Sequence, residues 1–241
     1  MGGLPDRANV TRPARPGLST YRERSLHAAL KAIYATPGRR VEEAVDGYVV
    51  DVVDEAELIE IQTASFASAA RKLRSLVEAH RVLLVHPIAV ERWLVRVDAD
   101  GVILGRRRSP RRGVALNLFR ELVAFPELVA HPNFRIELAM IREEEVRGPV
   151  PAGARFRYPR EWWRLDRRLL DVIGIVRIDG PADLLSLLPP GLPAQFTSAD
   201  IATVARRPRT LATRATYCLE KSGAIRNAGR RGRLGLFEAV Q

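Results

Sequence analysis

Three acidic residues stand in or beside segments whose other residues favour β-strands. Asp51 lies within the apolar run 48–53, Glu42 precedes this run, and Glu60 follows it. Carboxylates are disfavoured in strands, and like charges placed opposite each other destabilise strand pairing. A hard divalent cation such as Mg²⁺ removes this penalty, because it binds carboxylate, water and phosphate oxygens. Such an ion can also activate water and stabilise the charge that develops during phosphodiester cleavage.

Two predicted turns bring these acidic residues into one row. Asp46-Gly47 is a strong signal for a two-residue hairpin turn, and this turn pairs Glu42 with Asp51. A second turn, in the polar segment that follows, pairs Asp51 with Glu60. Directly opposed residues point to the same side of a sheet, so we expect the three acids to be metal ligands, with Gln62 on the same face. The alternative is a sheet with one solvated face, on which the carboxylates are harmless.

The elements around the acidic row have the order of an α/β domain with a mixed sheet. The spacing of apolar residues predicts a helix over 20–35, strands over 41–45, 48–53 and 58–63, a helix over 65–80 and a buried strand over 82–88. A hairpin over 93–104, a helix near 116–125 and a strand over 134–141 follow. We therefore assign residues 20–147 to one domain. A disordered basic tail, 1–19, precedes it, and a linker, 148–160, follows it.

This order resembles the core of the PD-(D/E)XK nuclease superfamily, of the type found in restriction endonucleases and Holliday-junction resolvases. The resemblance covers residues 20–97 and rests on Asp51 in the segment 48–53 and on Glu60-Ile-Gln62 in the next strand. It implies that Asp51 and Glu60 bind Mg²⁺ or Mn²⁺. It also implies that the last motif residue, a lysine in the family pattern, orients the attacking water. Here that residue is Gln62.

The glutamine leaves three interpretations open. Gln62 can hold the water itself, as in other Glu-x-Gln members, or Lys72 from the next helix can supply the ammonium group. Alternatively, the protein keeps the fold without cleaving DNA. The upstream acid is also open, between Glu42, which the hairpin geometry favours, and Glu23 on the first helix. Three further segments resemble an uncharacterised bacterial family built on this core: 58–63, 108–110 and 131–133.

Residues 161–241 are predicted to form a second, mainly α domain. Apolar spacing favours helices near 163–173 and 182–188. A capping box at 197–200 opens the next helix, and Pro208 opens the one after it. Two short strands then flank an arginine-rich turn. Helix, turn, helix and hairpin in this order resemble a winged helix-turn-helix.

The charge of this C-terminal region favours DNA as its partner. Residues 201–235 carry nine basic residues and a single acidic one, Glu220. In helix-turn-helix proteins the second helix enters the major groove, and basic wing residues bind phosphates. The expected DNA-binding residues are Arg209, Thr210, Thr213 and Arg214 on the helix, and Arg230, Arg231 and Arg233 in the hairpin. The alternative is a winged helix that contacts another protein.

The composition limits the classes of protein further. The 241 residues carry a net charge of +11, and nearly all of the positive charge is arginine, a bias that GC-rich coding also produces. The absence of a long apolar run and of an apolar leader predicts a cytoplasmic protein without a membrane partner. The single cysteine, Cys218, excludes an internal disulfide and a cysteine-based zinc site, and its apolar neighbours predict burial.

Together these features predict a metal-dependent DNA endonuclease or DNA-processing phosphodiesterase that a winged helix directs to its substrate. Two alternatives are a DNA-binding regulator with a silent nuclease fold, and a defence or toxin nuclease that depends on a partner. The arginine-rich segment 106–112 is either a phosphate-contacting loop or a solvated one. A homodimer is expected because cutting both DNA strands requires two sites.

Overall fold

A computed structural model describes residues 25–150 and 161–240. The protein has a mixed α/β fold with one seven-stranded sheet and one three-stranded sheet. The predicted tail, the candidate acid Glu23 and residues 151–160 of the predicted linker lie outside the described residues. None of the helices in the described parts is long and apolar enough to cross a membrane.

The seven-stranded sheet contains most of the chain up to residue 178. Its elements are α1 (Ser25–Tyr34), β1 (Arg40–Val45), β2 (Tyr48–Val53), β3 (Leu58–Ile61), α2 (Ala70–Leu76), β4 (Val82–Val97), β5 (Ile103–Arg108), β6 (Phe134–Pro149) and β7 (Trp162–Ile178). The strand order is β1-β2-β3-β4-β6-β7, and β5 pairs with the second half of β4. β3, β4 and β6 are parallel, and the other pairs are antiparallel.

The predicted hairpin and its register are present. Asp46 and Gly47 both have positive φ, 48° and 80°, as a tight hairpin turn requires. Val45 pairs with Tyr48, and the same register continues to the far end of β1. β2 then pairs with β3 at only two positions, the inner one being Val52 with Ile59. Both turns therefore set the register that the sequence predicts.

The two helices pack on opposite faces of this sheet. Leu26 of α1 belongs to the same apolar cluster as Ile59 and Ile61. Leu73 of α2 packs with the other face, which includes Leu58. Each leucine buried in this way contributes roughly 1.5–3 kcal/mol. Because successive strand residues alternate between faces, Glu60 is directed toward α2.

Two predicted helices are wrong. The segment 163–173 belongs to strand β7, which pairs with β6 along its whole length. Its apolar residues fall at helical spacing, but the free edge of β6 offers a continuous hydrogen-bonding partner, and such tertiary pairing outweighs local propensity. Residues 162–178 are thus part of the large sheet, and the C-terminal region is not mainly α. The segment near 116–125 forms short 3₁₀ turns within 115–130, where Leu118, Phe119 and other apolar side chains are buried.

The C-terminal elements follow β7 directly. They are α3 (Pro181–Ser186), β8 (Gln195–Phe196), α4 (Ser198–Ala205), α5 (Arg209–Lys221), β9 (Ile225–Arg231) and β10 (Leu234–Ala239), with the sheet order β8-β10-β9. The predicted capping box is present, since Thr197 Oγ1 accepts from the Asp200 N–H and Asp200 accepts from the Thr197 N–H at 2.7 Å. Cys218 of α5 is buried, as predicted, together with five other residues of that helix: Leu211, Ala212, Ala215, Thr216 and Leu219.

Candidate active site

Asp51 lies where β2 and β3 separate. The ladder between the two strands ends at Val52 and Ile59. One step beyond, Oδ2 of Asp51 accepts a hydrogen bond from the backbone N–H of Ile61 at 2.8 Å. The same oxygen lies 3.3 Å from Nε2 of His27 on α1. The carboxylate thus occupies the gap that the diverging backbones leave, with 17 % of its side chain exposed.

Glu60 and Lys72 meet at the same gap. The ammonium group of Lys72, on α2, contacts the carboxylate of Glu60 on β3 and the backbone carbonyl of Val49 on β2. The exposed fractions of these side chains are only 14 % for Glu60 and 16 % for Lys72. A partly buried charge needs a partner of opposite charge, and one lysine supplies it here.

The two carboxyl groups have opposite pKa shifts. Burial raises the pKa of Asp51, but the hydrogen bonds from His27 and the Ile61 N–H, with the charge of Lys72, hold it below its ordinary value. Burial, and next the charge of Asp51, raise the pKa of Glu60 although Lys72 lowers it. Neighbouring acids whose pKa values are pushed apart are typical of sites that bind ions or transfer protons.

The structure does not bring Glu42 together with the other two acids. The hairpin register places Glu42 opposite Asp51, but its backbone is left-handed, with φ of 54°. Its carboxylate pairs with Lys31 on α1 at 2.5 Å, and 59 % of its side chain is exposed. This unusual backbone conformation takes the residue out of the regular strand geometry on which the predicted row depends.

Gln62 has a local role in the turn after β3. Its Nε2 donates to the carbonyl of Ser65 and to the hydroxyl of Ser68, both at 2.9 Å. Ser65 in turn caps the 3₁₀ turn that precedes α2. Gln62 therefore supports the backbone beside the site, whereas Lys72 stands next to the carboxylate.

The site supplies some, but not all, of the oxygen ligands that a hard divalent cation needs. In residues 25–150 and 161–240, no group of three or more His, Cys, Asp or Glu side chains is placed to hold a metal ion. Asp51 and Glu60 supply two carboxylates. Mg²⁺ is commonly held by one or two carboxylates, with water and substrate phosphates completing its coordination. These two residues would hold such an ion.

A second charged cluster, which the sequence did not predict, lies between β4, β6 and β7. Glu143 is fully buried and accepts from Nε of Arg92 at 2.6 Å and from Nε of Arg167 at 2.9 Å. Arg167 also donates to the carbonyl of Thr63 at 3.0 Å. Glu145, on the same side of β6, lies 3.1 Å from Arg92. The spacing of Glu143 and Glu145, two residues apart, places both on one face of a strand and was the available signal for this cluster. Arg167, however, lay in a segment predicted to be helical.

A cleft of about 930 Å³ opens over this cluster. Its walls include residues 63–65 after β3, the loop 110–113, and Arg207 with Pro208 between α4 and α5. We call it the arginine cleft because seven arginines line it and Glu121 is the acid among its lining residues: Arg92, Arg111, Arg112, Arg120, Arg164, Arg167 and Arg207.

His86 connects the arginine cleft to the candidate active site. It lines the cleft, is buried, and its Nδ1 lies 2.7 Å from the carbonyl of Gln62. A carbonyl only accepts, so Nδ1 carries the proton and donates it. Burial lowers the pKa of His86 to about 4, and the ring therefore stays neutral at neutral pH. It also packs edge-on against Phe66.

The candidate DNA-binding residues lie on the surface of the C-terminal region. All seven are exposed: Arg209, Thr210, Thr213, Arg214, Arg230, Arg231 and Arg233. Arg231 differs from the others because it pairs with Asp200 at 2.9 Å and donates to the carbonyl of Gln195. Arg214 donates to the carbonyl of Arg120, at a distance of 3.4 Å.

The fold and the site define a mixed α/β protein with an acid–lysine cluster beside a basic cleft. The chain belongs to the family described as a domain of unknown function, DUF8091, whose model matches residues 24–179. This range runs from α1 to the end of β7. A protein of Treponema pallidum (strain Nichols), described as uncharacterized, is 28 % identical over 187 residues, which cover 77 % of this chain and 73 % of that protein. No solved structure matches the chain.

Proposed function

We propose that this protein is a metal-dependent phosphodiesterase that cleaves DNA in the cytoplasm, with Asp51 and Glu60 as ligands of Mg²⁺ or Mn²⁺. One observation carries the proposal: Lys72 contacts Glu60 where β2 and β3 separate, and Asp51 lies close enough for its charge to raise the pKa of Glu60. The lysine comes from α2, as one of the interpretations of the Glu-x-Gln motif requires. Lys72 contacts Glu60, and from this position its ammonium group can also reach a phosphate or the attacking water.

The residues of the site have different roles in the proposed reaction. An ion held there supplies Lewis acidity and makes a water molecule more acidic. The Ile61 N–H orients Asp51 and favours its ionised form. Lys72 favours the ionised form of Glu60, and its positive charge would offset the negative charge that develops on the phosphate during cleavage. Gln62 and His86 hold the turn beside β3 and thereby fix the position of Glu60.

The C-terminal elements support the choice of duplex DNA as part of the substrate. Two helices, a two-stranded hairpin and the short β8 follow the order of a winged helix, and we assign α5 to the major groove. Its exposed residues Arg209 and Arg214 would then contact DNA. Arg230 and Arg233 would bind phosphates, whereas Arg231 is already engaged with Asp200.

Cleavage of supercoiled plasmid tests the proposal. With Mn²⁺ or Mg²⁺, the wild-type protein should nick or linearise the plasmid. Asp51→Asn and Glu60→Gln should each reduce the rate by more than the roughly 10- to 100-fold that changes around a metal site cause. Glu42→Gln is the matched control, because that carboxylate is exposed and paired with Lys31. Equal activity of wild type, Asp51→Asn and Glu60→Gln would rule out this site.

A second candidate is a DNA-binding regulator with a silent site. It is favoured by the ion pair of Lys72 with Glu60, which neutralises that carboxylate without any metal. Unchanged DNA binding by Asp51→Asn, together with no cleavage by the wild type, would select this candidate. A homodimer remains the proposed form for cutting both strands, and sedimentation velocity measures it directly.

A further inference from the structure

We propose that the arginine cleft binds the sugar–phosphate backbone of a single-stranded DNA segment. This inference rests on the proposed nucleic-acid substrate and deepens it, because it makes an unpaired strand part of what the protein recognises. It does not depend on cleavage at Asp51 and Glu60, because it concerns a separate group of residues.

The cleft has positive charge that is available to a ligand. Four of its seven arginines form no ion pair within residues 25–150 and 161–240: Arg111, Arg112, Arg120 and Arg207. The acid in the lining, Glu121, can offset one of these charges at most. Phosphate groups are the polyanionic partner that such a surface fits, since each arginine can offer several N–H donors.

The floor of the cleft is fixed before any ligand arrives. Glu143 holds Arg92 and Arg167 from below, and Arg167 also binds the carbonyl of Thr63. Side chains held by such a network have little rotational freedom left to lose on binding. The cleft therefore has a fixed floor, and the arginines without ion pairs lie above it.

The loop that carries Arg111 and Arg112 is drawn close to β4. The N–H of Gly113 donates to the carbonyl of Ala89 at 2.8 Å. A Cβ at Gly113 would lie 2.6 Å from that carbonyl oxygen, so only glycine permits the approach. This contact holds the loop that carries both arginines at the cleft.

The size and lining of the cleft select a single strand over a duplex. Its volume of about 930 Å³ falls at the upper end of the roughly 300–1,000 Å³ of small-ligand clefts. A double helix, whose major groove alone is about 12 Å wide, does not fit such a space. Among the described residues that line the cleft there is no Phe, Tyr or Trp to serve as a stacking platform for bases. Backbone phosphates remain as the recognised groups, which predicts binding without sequence preference.

The position of the cleft fits a substrate with paired and unpaired parts. Thr63, on one wall, follows Glu60 by three residues, and Pro208, on another, directly precedes α5. A strand in the cleft therefore lies between the candidate active site and the helix assigned to duplex DNA. Branched or partly unwound DNA has this combination.

Fluorescence anisotropy with a labelled dT20 oligonucleotide, in EDTA, tests the inference without any cleavage. The double variant Arg111→Gln/Arg112→Gln should weaken binding by about tenfold at 0.15 M salt. It should also lower the slope of log K against log salt by roughly 1.4, because each single-strand phosphate contact contributes about 0.7. The control Arg71→Gln/Arg81→Gln removes two exposed arginines outside the cleft and should leave both quantities near wild type.

The inference would be overturned if the wild type does not bind dT20, or if the two double variants lose the same affinity for dT20. It would also be overturned if the Arg111→Gln/Arg112→Gln variant loses as much affinity for a labelled 20-base-pair duplex as for dT20. Each of these can occur while the wild type still cleaves plasmid, which leaves the proposed function intact. Conversely, selective loss of dT20 binding in Arg111→Gln/Arg112→Gln supports the cleft even if no cleavage is found.

Discussion

Within residues 25–150 and 161–240, the acid cluster around Glu143 and the one formed by Asp51 and Glu60 are neutralised in different ways. Each carboxylate oxygen of Glu143 accepts from its own arginine, one from Arg92 and the other from Arg167. Around Asp51 and Glu60, Lys72 contacts Glu60 alone and acts on Asp51 only through its charge, while Asp51 accepts from the Ile61 N–H. The first cluster therefore has the arrangement of a structural ion-pair network, and the second has the arrangement of a cation-binding site.

The difference follows from the cost of burying charge. A buried carboxylate without a partner is strongly unfavourable, and the protein removes that cost at Glu143 with two guanidinium groups. At the second cluster, His27 contributes a positive charge only when it is protonated. Burial and the charge of Asp51 raise the pKa of Glu60, so the negative charge of this carboxylate is not fully compensated, and a bound cation would stabilise it.

Removing the acid from the first cluster should have the largest effect on stability. Glu143→Gln leaves Arg92 and Arg167 without their shared carboxylate, and we expect a loss of about 3–5 kcal/mol in the free energy of unfolding. Urea unfolding at neutral pH measures it. Glu127→Gln breaks the exposed pair with Arg74 and should cost at most about 1 kcal/mol. Equal effects of the two substitutions would contradict the structural role of Glu143.

Acidification should weaken the protein through His86, the residue between the two clusters. Its folded pKa is about 4, below its ordinary value of 6.5, so the unfolded chain takes up the proton first. The stability contribution is complete above pH 6.5 and is lost as the pH falls toward 4, amounting to about 3 kcal/mol. Unfolding curves at pH 7 and pH 5 should differ by about 2 kcal/mol of this loss, since the folded protein is still mostly unprotonated at pH 5. His86→Gln should flatten the dependence, and an unchanged slope would argue against a buried neutral histidine.

Removing Lys72 should leave the negative charge of the second cluster without a cation beside it. Lys72→Gln leaves Glu60 without its cation, and we expect the metal-free protein to lose about 2 kcal/mol. Thermal unfolding with and without Mn²⁺ should show a larger stabilisation by Mn²⁺ in the variant than in the wild type, since lysine and metal compete for one carboxylate. A smaller stabilisation in the variant would show that the lysine assists metal binding.

The smallest effect should come from the acid that the structure leaves outside the site. Glu42→Gln removes an exposed carboxylate paired with Lys31, so the expected loss of stability is at most about 1 kcal/mol. Its Mn²⁺-induced shift in melting temperature should equal that of the wild type. A reduced shift would return Glu42 to the set of metal ligands.

Local signals in the sequence set much of this fold correctly. Asp46-Gly47 defines the hairpin register, and the apolar period of α5 defines its buried face, because both depend on neighbouring residues only. The capping box at Thr197 is equally local. These elements were predicted with their positions.

Features that depend on distant partners were not predictable in the same way. β7 is a strand because β6 offers it an edge, and the pairing of Glu143 with Arg167 follows from that edge. Lys72 reaches Glu60 from a helix on one face of the sheet, which sequence spacing alone left as one of several alternatives. The left-handed backbone of Glu42 has no signal in residue type.

Calorimetric titration of Mn²⁺ into the metal-free protein tests the central claim most directly. We predict one binding site in the wild type, absent in Asp51→Asn and Glu60→Gln and retained in Glu42→Gln. The affinity should increase with pH above the ordinary Glu value of 4.5, because a proton competes with the metal for Glu60, whose pKa is raised. Binding of equal strength by the wild type, Asp51→Asn and Glu60→Gln would contradict the account.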